Sequence, residues 1–399
     1  MVQRSATAQF QVQDASHFLK RVRRLHTIIA DASDRAEQNH ELPLELLKVL
    51  HQNSLFQLLL PKPFGGFEID PAGFCQIIEG VAKIDASTAW CLCQANGCAM
   101  AAAFVPDQVA KDIWLGNKPG VLAWGPGKGD AVRYGDCYRL SGSWSFVSGG
   151  RHATWLGGHA ILREENGDPY RDTHGQTLSQ TFLFPSSQAM MTKTWDVIGL
   201  LGTGSDTFSV EDISVPITHV LSRDDASARR YQAPLYLFPA TSLYASGFAG
   251  TALGIARSML DSFKSLVLEK TPRLERQQLH ENAIIQTEIG QSEARLNAAR
   301  TFLVSELEDI WSTVTTNQSL TIEQRMRIRL ASTHAIHESK TVANAAYETA
   351  GASAIFVGSP FQRRFRDIHT VAQQIQGRKS HFQTVGSFLL GHPPDLAMV

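Results

Sequence analysis

The residues with the most obvious chemical capacity are two glycine-rich runs, a pair of histidines and five cysteines. Gly202-Thr-Gly204 supplies two glycines but no third, and no strand–helix–strand unit follows it, so it fails as a dinucleotide fingerprint. Gly125-Pro-Gly-Lys128-Gly129 sets a lysine among glycines without the spacing of a phosphate-binding P-loop, and its residue types suit a turn. His334 and His337 stand at i, i+3 on a predicted helix, but no cysteine or carboxylate at a known spacing completes a metal set around them. No GxSxG nucleophile elbow occurs. The cysteines (Cys75, Cys91, Cys93, Cys98, Cys137) are odd in number and contain no CxxC pair, which reads as reduced thiols.

The elements that must position any site fall into three blocks. From Phe18 to Glu41 apolar residues recur at Phe18, Val22, Leu25, Ile28, Ile29 and Ala32, the 3.6-residue period of one buried helix face. A second helix follows Pro43 through Leu46, Leu47 and Leu50, until Pro61, Pro63, Gly65 and Gly66 break the chain. Residues 71 to 116 are again helical in pattern, with a small-residue stretch from Ala86 to Ala103. After Pro119 the period changes to two: Tyr138, Leu140, Trp144 and Phe146 alternate with polar residues, predicting a half-buried strand. Further strands are predicted at Ala160–Arg163, Thr181–Phe184, Val197–Leu200 and Phe208–Val215, enough for a small barrel or sandwich. Helical periodicity returns near 240–268, 276–315, 321–350 and 366–390, four segments that suit an antiparallel bundle. The expected division is a helical domain over 1–118, a β domain over 119–221 and a helical bundle over 222–399.

Composition narrows the partners. With 399 residues, 37 Lys+Arg against 38 Asp+Glu and a formal charge of -1, the chain carries no basic footprint for nucleic acid or anionic lipid. Its 43% hydrophobic residues can build a sizeable core, yet no run approaches the roughly 18 apolar residues of a membrane span. The first residues, MVQRSATAQF, lack the apolar region of a secretion signal, so a cytoplasmic protein is expected. A small molecule or another subunit is the expected partner.

Several ordered segments resemble the acyl-CoA dehydrogenase superfamily. Leu58-Leu-Leu-Pro-Lys-Pro-Phe-Gly-Gly66 and Ile84-Asp-Ala-Ser-Thr-Ala-Trp90 are similar to its first domain, the latter to the helix lining the substrate side. Tyr138 to Trp155, with Gly142-x-Trp144-x-Phe146-x-Ser148-Gly149, resembles the strand that carries the flavin ring. Gly199 to Ser205, Val215-Pro216 and Arg363-Arg-Phe-Arg-Asp367 complete the match, which covers nearly the whole chain. The resemblance implies an α+β fold, acyl-CoA dehydrogenase-like, with an N-terminal helical domain, a middle β-barrel or sandwich and a C-terminal four-helix bundle.

Two chemistries occur in that superfamily, and carboxylates separate them. A dehydrogenase needs a Glu to remove an α-proton, yet residues 226–260 and 368–394 hold no Asp or Glu, and Gln374 or Gln376 cannot accept a proton at useful pH. The wording at Gly202–Ser205, Pro234-Leu-Tyr-x-x-Pro239 and Ser359–Asp367 instead resembles the two-component flavin-dependent monooxygenases, such as oxygenase components acting on p-hydroxyphenylacetate or dibenzothiophene. That branch implies reduced FAD or FMN, with FAD favoured, delivered by a separate NAD(P)H:flavin reductase, and O2 as co-substrate acting through a C4a-hydroperoxide. It also implies a homotetramer.

The resemblance assigns roles residue by residue. Ser148 is expected beside the flavin N5 and C4a as an uncharged donor, with Phe146, Val147 and Trp155 around it. Trp124 and the run Gly125 to Gly129 match a loop of backbone donors to the flavin. Arg273 or Arg276 and Gly351 are expected at the cofactor tail, shared between subunits. Relatives of this branch carry a His eight residues after the position of Arg366; here that residue is Gln374. A second His position falls near Gln94, Ala95 and Asn96. Gln374 and Asn96 are therefore candidates to position a polar group, with His369 a possible proton carrier. Neutral amides at both places favour an electron-rich aromatic or heteroaromatic substrate, indole-like, over a phenol that needs deprotonation. An N- or S-oxygenase, an acyl-CoA dehydrogenase-type enzyme and a silent flavin-binding subunit are the competing readings.

Overall fold

A computed structural model describes residues 14–399 apart from 117–118, 173–174, 223–225, 272–276, 395 and 397–398. The first block is helical: α1 (Ala15–Arg24), α2 (His26–Asn39), α3 (Leu44–Gln52), α4 (Pro71–Ala82), α5 (Ala86–Ala99) and α6 (Asp107–Trp114). The single helix expected over 18–41 is two, because the chain turns at Leu25 (φ -86°, ψ 0°) and ends at His40 in the left-handed region. Carboxylate caps start three of these helices, Asp14 accepting from the His17 N–H, Asp70 from Gly73 and Asp85 from Thr88. Almost every residue of α5 is buried, so this helix crosses the interior with no polar face.

The middle block is one eight-stranded sheet: β1 (Leu122–Trp124), β2 (Gly127–Tyr134), β3 (Cys137–Val147), β4 (Trp155–Arg163), β5 (Ser179–Pro185), β6 (Met190–Thr192), β7 (Asp206–Pro216) and β8 (Val220–Leu221). Its order is β6-β7-β3-β2-β4-β5-β8, with β1 added in parallel to β4. Phe184 of β5 reaches Phe208 of β7 edge-on although the two strands are not neighbours in that order, so the sheet curls over a core with Trp144 stacked on Phe208. The strand expected at Val197–Leu200 is absent: this stretch is a turn, with Leu200 at φ 54°.

In β3 the alternation read from sequence fails at its end. The ladder with β7 shifts register between Trp144 and Val147, and Phe146 at the bulge takes φ 57°. The extra residue moves the inward position by one: Trp144 and Val147 are fully buried, whereas Phe146 is 63% exposed.

The third block holds α7 (Ala240–Glu269), α8 (Ala283–Asn317), α9 (Ile322–Ala350), α10 (Pro360–Gln373) and α11 (Ser380–Leu389). The helix expected over 366–390 is thus two, interrupted at Gln374–Gly377, where Gln374 is extended (ψ 165°) and its side chain caps Gln376 N–H. α7 lies at the centre, packed on α4 and α5 of the first block and on α9 and α10 of its own. Ion pairs from Arg363 to Asp34 and Glu37, with Arg366 also on Glu37, fasten α10 to α2. All five cysteines are free thiols; four are buried and Cys137 is half-buried.

Candidate functional site

The β3 bulge delivers Ser148 to the junction of sheet and helices. Its Oγ accepts from Trp90 Nε1 of α5 at 2.9 Å and lies 2.7 Å from Ser205 Oγ, which lies 2.7 Å from Thr203 Oγ1. Thr203 donates to the Leu200 carbonyl at 2.8 Å. The backbone fixes this row: Gly149 N–H donates to the Thr203 carbonyl, and Gly149 and Gly204 both take positive φ. Trp90 in turn stacks on Phe248 of α7 at 3.9 Å, and Tyr244 stacks on Phe248 one turn earlier. A neutral hydroxyl row thus meets an aromatic wall, with no imidazole or carboxylate bonded to Ser148.

Other expected residues lie in different settings. Asn96 is fully buried, and its amide is consumed by main chain: Oδ1 accepts from Leu58 and Leu59 N–H, and Nδ2 donates to the Leu55 and Leu92 carbonyls. It clamps the 55–59 segment to α5 and keeps no valence for a substrate. His369 bonds Asn344 of α9 at 2.9 Å and tilts against Phe365, and burial pushes its imidazole below the usual range. Gln374 accepts from Gln376 N–H at 2.7 Å through Oε1, while its Nε2 is buried with no protein partner, an available donor. Gln376 holds the buried Arg329 at 2.7 Å.

The glycine run Gly125–Gly129 is not an open cradle. Gly127 begins β2, a Cβ at Gly125 would stand 2.0 Å from the Ser145 carbonyl, and one at Gly129 2.6 Å from the Trp144 indole. These glycines let the sheet close on Trp144. Trp124 is buried beside His159, and its carbonyl accepts from Gln94 Nε2 at 3.3 Å. Val147 is fully buried. Phe146 faces outward, edge-on to Trp195 at 6.1 Å. Trp155 stacks on His219 at 5.7 Å. Gly351 ends α9 at φ 60°, ψ -143°, a conformation for glycine, and the space where a Cβ would stand is open. Arg273 and Arg276 lie outside the described residues. Among the described residues, no group of three His, Cys, Asp or Glu is placed to hold a metal, and His337 bonds the Gly377 carbonyl.

A cleft of about 730 Å³ opens between α2, α7 and α10, walled by Asp85, Arg363, Arg364 and Asp367. It shares no lining residue with the Ser148 row. Burial lifts the Asp367 carboxyl to about 7, although Asp367 accepts from Leu200 N–H at 2.6 Å.

Two stretches match models of one family: residues 13–115 match the acyl-CoA dehydrogenase N-terminal domain and residues 246–378 its C-terminal domain, together more than half of the chain. The chain belongs to the acyl-CoA dehydrogenase family. Within that family, indole-3-acetate monooxygenase of Pseudomonas putida is 27% identical over 362 residues, 90% of either chain. The flavin-dependent monooxygenase oxygenase subunit HsaA of Rhodococcus jostii is also 27% identical, over 87% of this chain and 92% of its own. Among solved structures, XiaF of Streptomyces sp., in complex with FADH2 and glycerol, superposes with a TM-score of 0.89 at 22% identity, covering 96% of this chain and 98% of its own. This likeness establishes the acyl-CoA dehydrogenase-like fold.

The sequence motif singles out Ser148 but not the side chains bonded to it. Trp90 ends one family-like segment and Ser205 another. That they share a hydroxyl row with Thr203 depends on the β3 bulge and the 200–204 turn, neither of which alternation reveals.

Proposed function

We propose that this chain is the oxygenase component of a two-component flavin-dependent monooxygenase, using reduced flavin and O2 to oxygenate a small aromatic or heteroaromatic, indole-like molecule. The observation that carries this reading is Ser148 itself: a buried, uncharged hydroxyl against the Trp90–Phe248 stack, with no base attached. The oxygenase names of the sequence relatives support it. The residues present fit a flavin: Ser148 Oγ has hydrogen-bonding capacity beyond its two side-chain partners, and Gly351 leaves open space for the cofactor tail. Ser148 would hold the ring edge, and Val147 and Trp124 would contribute main-chain contacts. Reduced flavin, when bound, supplies the two electrons that activate O2.

The chain's own residues do the rest. Trp90, Phe248 and Tyr244 exclude water and offer faces on which a flat substrate can stack. Gln374 Nε2 donates to the oxygen-bearing side of the reactants without carrying charge. His369, already bonded to Asn344, acts at most through that pair. FAD is favoured over FMN, with a separate NAD(P)H:flavin reductase as supplier. A homotetramer is the expected assembly, supported by the exposed apolar run Ile355, Phe356 and Val357 just past Gly351.

Supplying the protein with reduced FAD, indole and ¹⁸O2 tests the reading. One ¹⁸O atom in the organic product supports it. Flavin reoxidation at the rate of free solution, without labelled product across indoles and phenols, overturns it. Anaerobic reduction of bound oxidised flavin by an acyl-CoA thioester would establish the dehydrogenase alternative instead.

A further inference from the structure

The hydroxyl row has a direction, set at both ends. Trp90 Nε1–H can only donate, and the Leu200 carbonyl can only accept. Two oxygens 2.8 Å apart, one a carbonyl, require the hydroxyl to supply the proton, so the single Thr203 proton goes to Leu200. Ser205, 2.7 Å from Thr203, must then donate to it, and Ser148, 2.7 Å from Ser205, must donate to Ser205. The row reads Trp90 N–H to Ser148 to Ser205 to Thr203 to the Leu200 carbonyl. Ser148 is left with its proton spent, one lone pair occupied by Trp90 and one lone pair over. Toward any further ligand it is an acceptor, the opposite of the donor expected from sequence.

The geometry points to a redox selector: the fixed polarity of the Trp90–Ser148–Ser205–Thr203–Leu200 row makes Ser148 accept from bound flavin, and so favours the reduced form over the oxidised one. This rests on the reading above that Ser148 meets the flavin ring edge. Reduced flavin carries N5–H, a donor that matches the spare lone pair. Oxidised flavin presents an N5 lone pair, which would face another lone pair in a buried setting where an unmatched contact is costly. An oxygenase component that binds reduced flavin and must release the oxidised product gains from this asymmetry. The same row predicts which residues set the selection. Ser205 and Thr203 hold the Ser148 proton away from the ligand, whereas Trp90 only fills a lone pair.

Anaerobic titration of the full chain with dithionite-reduced FAD, and separately with oxidised FAD, tests this through the ratio of the two dissociation constants. The wild type should bind reduced FAD at least tenfold more tightly. Ser205→Ala releases the Ser148 proton to turn toward N5, so oxidised FAD should bind more tightly and the ratio should fall about tenfold. That change corresponds to a bound-flavin midpoint potential lower by about 30 mV for the two-electron couple. Thr203→Val, nearly equal in volume, frees the row one step further along and should act alike, which covers the case that Ser205→Ala does not fold. Trp90→Phe leaves the direction intact and should keep the wild-type ratio. If both hydroxyl variants keep the wild-type ratio, or if Trp90→Phe narrows it as much as they do, the selector is overturned while the flavin reading stands. If the wild type binds neither form of FAD, the flavin reading falls and the selector with it.

Discussion

Asn96 shows how far a side chain's type can be from its job. A neutral amide near the expected substrate helix looks like a recognition group, yet three of its four hydrogen bonds hold Leu55, Leu58 and Leu59 to α5. Asn96→Ala would leave buried main-chain N–H and C=O groups unpaired, at roughly 1–3 kcal/mol each. We expect a loss of about 3 kcal/mol in urea denaturation. His152 makes a second residue-scale prediction. Its Nε2 is buried without a partner, its ring lies near Phe56 and His51, and burial holds the imidazole down at about 4 against an ordinary 6.5. Between those values the unfolded chain binds the proton and the folded chain does not. This contribution is therefore complete above pH 6.5 and lost as pH falls toward 4, by up to about 1.4 kcal/mol per pH unit. Asp367, lifted to about 7, titrates in the opposite sense, so the comparison that isolates His152 is between variants. Relative to wild type, His152→Gln should gain stability as the pH is lowered from 6.5 to 4.5, read from denaturation midpoints at each pH. Equal slopes in the two proteins would refute the assignment. The motif around Ser148 was legible because it is local; its hydrogen-bond partners were not, because they lie at positions 90 and 205, far apart in the chain.

Among the elements, what periodicity could read was the long helices and the middle of β3, where a single face is buried over many residues. It failed where one residue changes the register or the direction. The bulge at Phe146 inverts the last positions of a strand whose pattern otherwise holds. Leu25 and Gln374 break helices without Pro or Gly, using backbone angles that apolar spacing does not encode. The 197–200 stretch has strand-like composition but turns, because Leu200 N–H is bound by Asp367, a residue of α10. Glycines carried a second ambiguity. Gly129 looked like a ligand-facing loop residue and is instead the gap that Trp144 fills. Gly129→Ala should force the rigid indole aside and cost about 2 kcal/mol, typical of core overpacking. It should also quench the packing seen in near-ultraviolet dichroism. A variant as stable as wild type would show that Trp144 can move.

For the molecule as a whole, three blocks converge on the stretch from Leu200 to Ser205. The sheet supplies Ser148, α5 supplies Trp90 and α10 supplies Asp367, so the row forms only when all three are docked. Ile355, Phe356 and Val357, 64%, 66% and 87% exposed in succession, form the apolar patch on which the proposed assembly rests. Placing a charge there, as in Phe356→Glu, should lower the solution mass measured by sedimentation below that of wild type. An unchanged mass would show that this patch is not an interface between copies of the chain.

The distribution of thiols has a practical consequence. Cys75, Cys91, Cys93 and Cys98 are sealed in the interior, while Cys137 lies half-buried at the start of β3. A maleimide dye added to the native protein should couple at one site only. That fluorophore would sit at the start of the strand that leads into Ser148. The four sealed sulfurs would take up reagent only as the helical blocks open, giving a chemical clock for unfolding in the same tube.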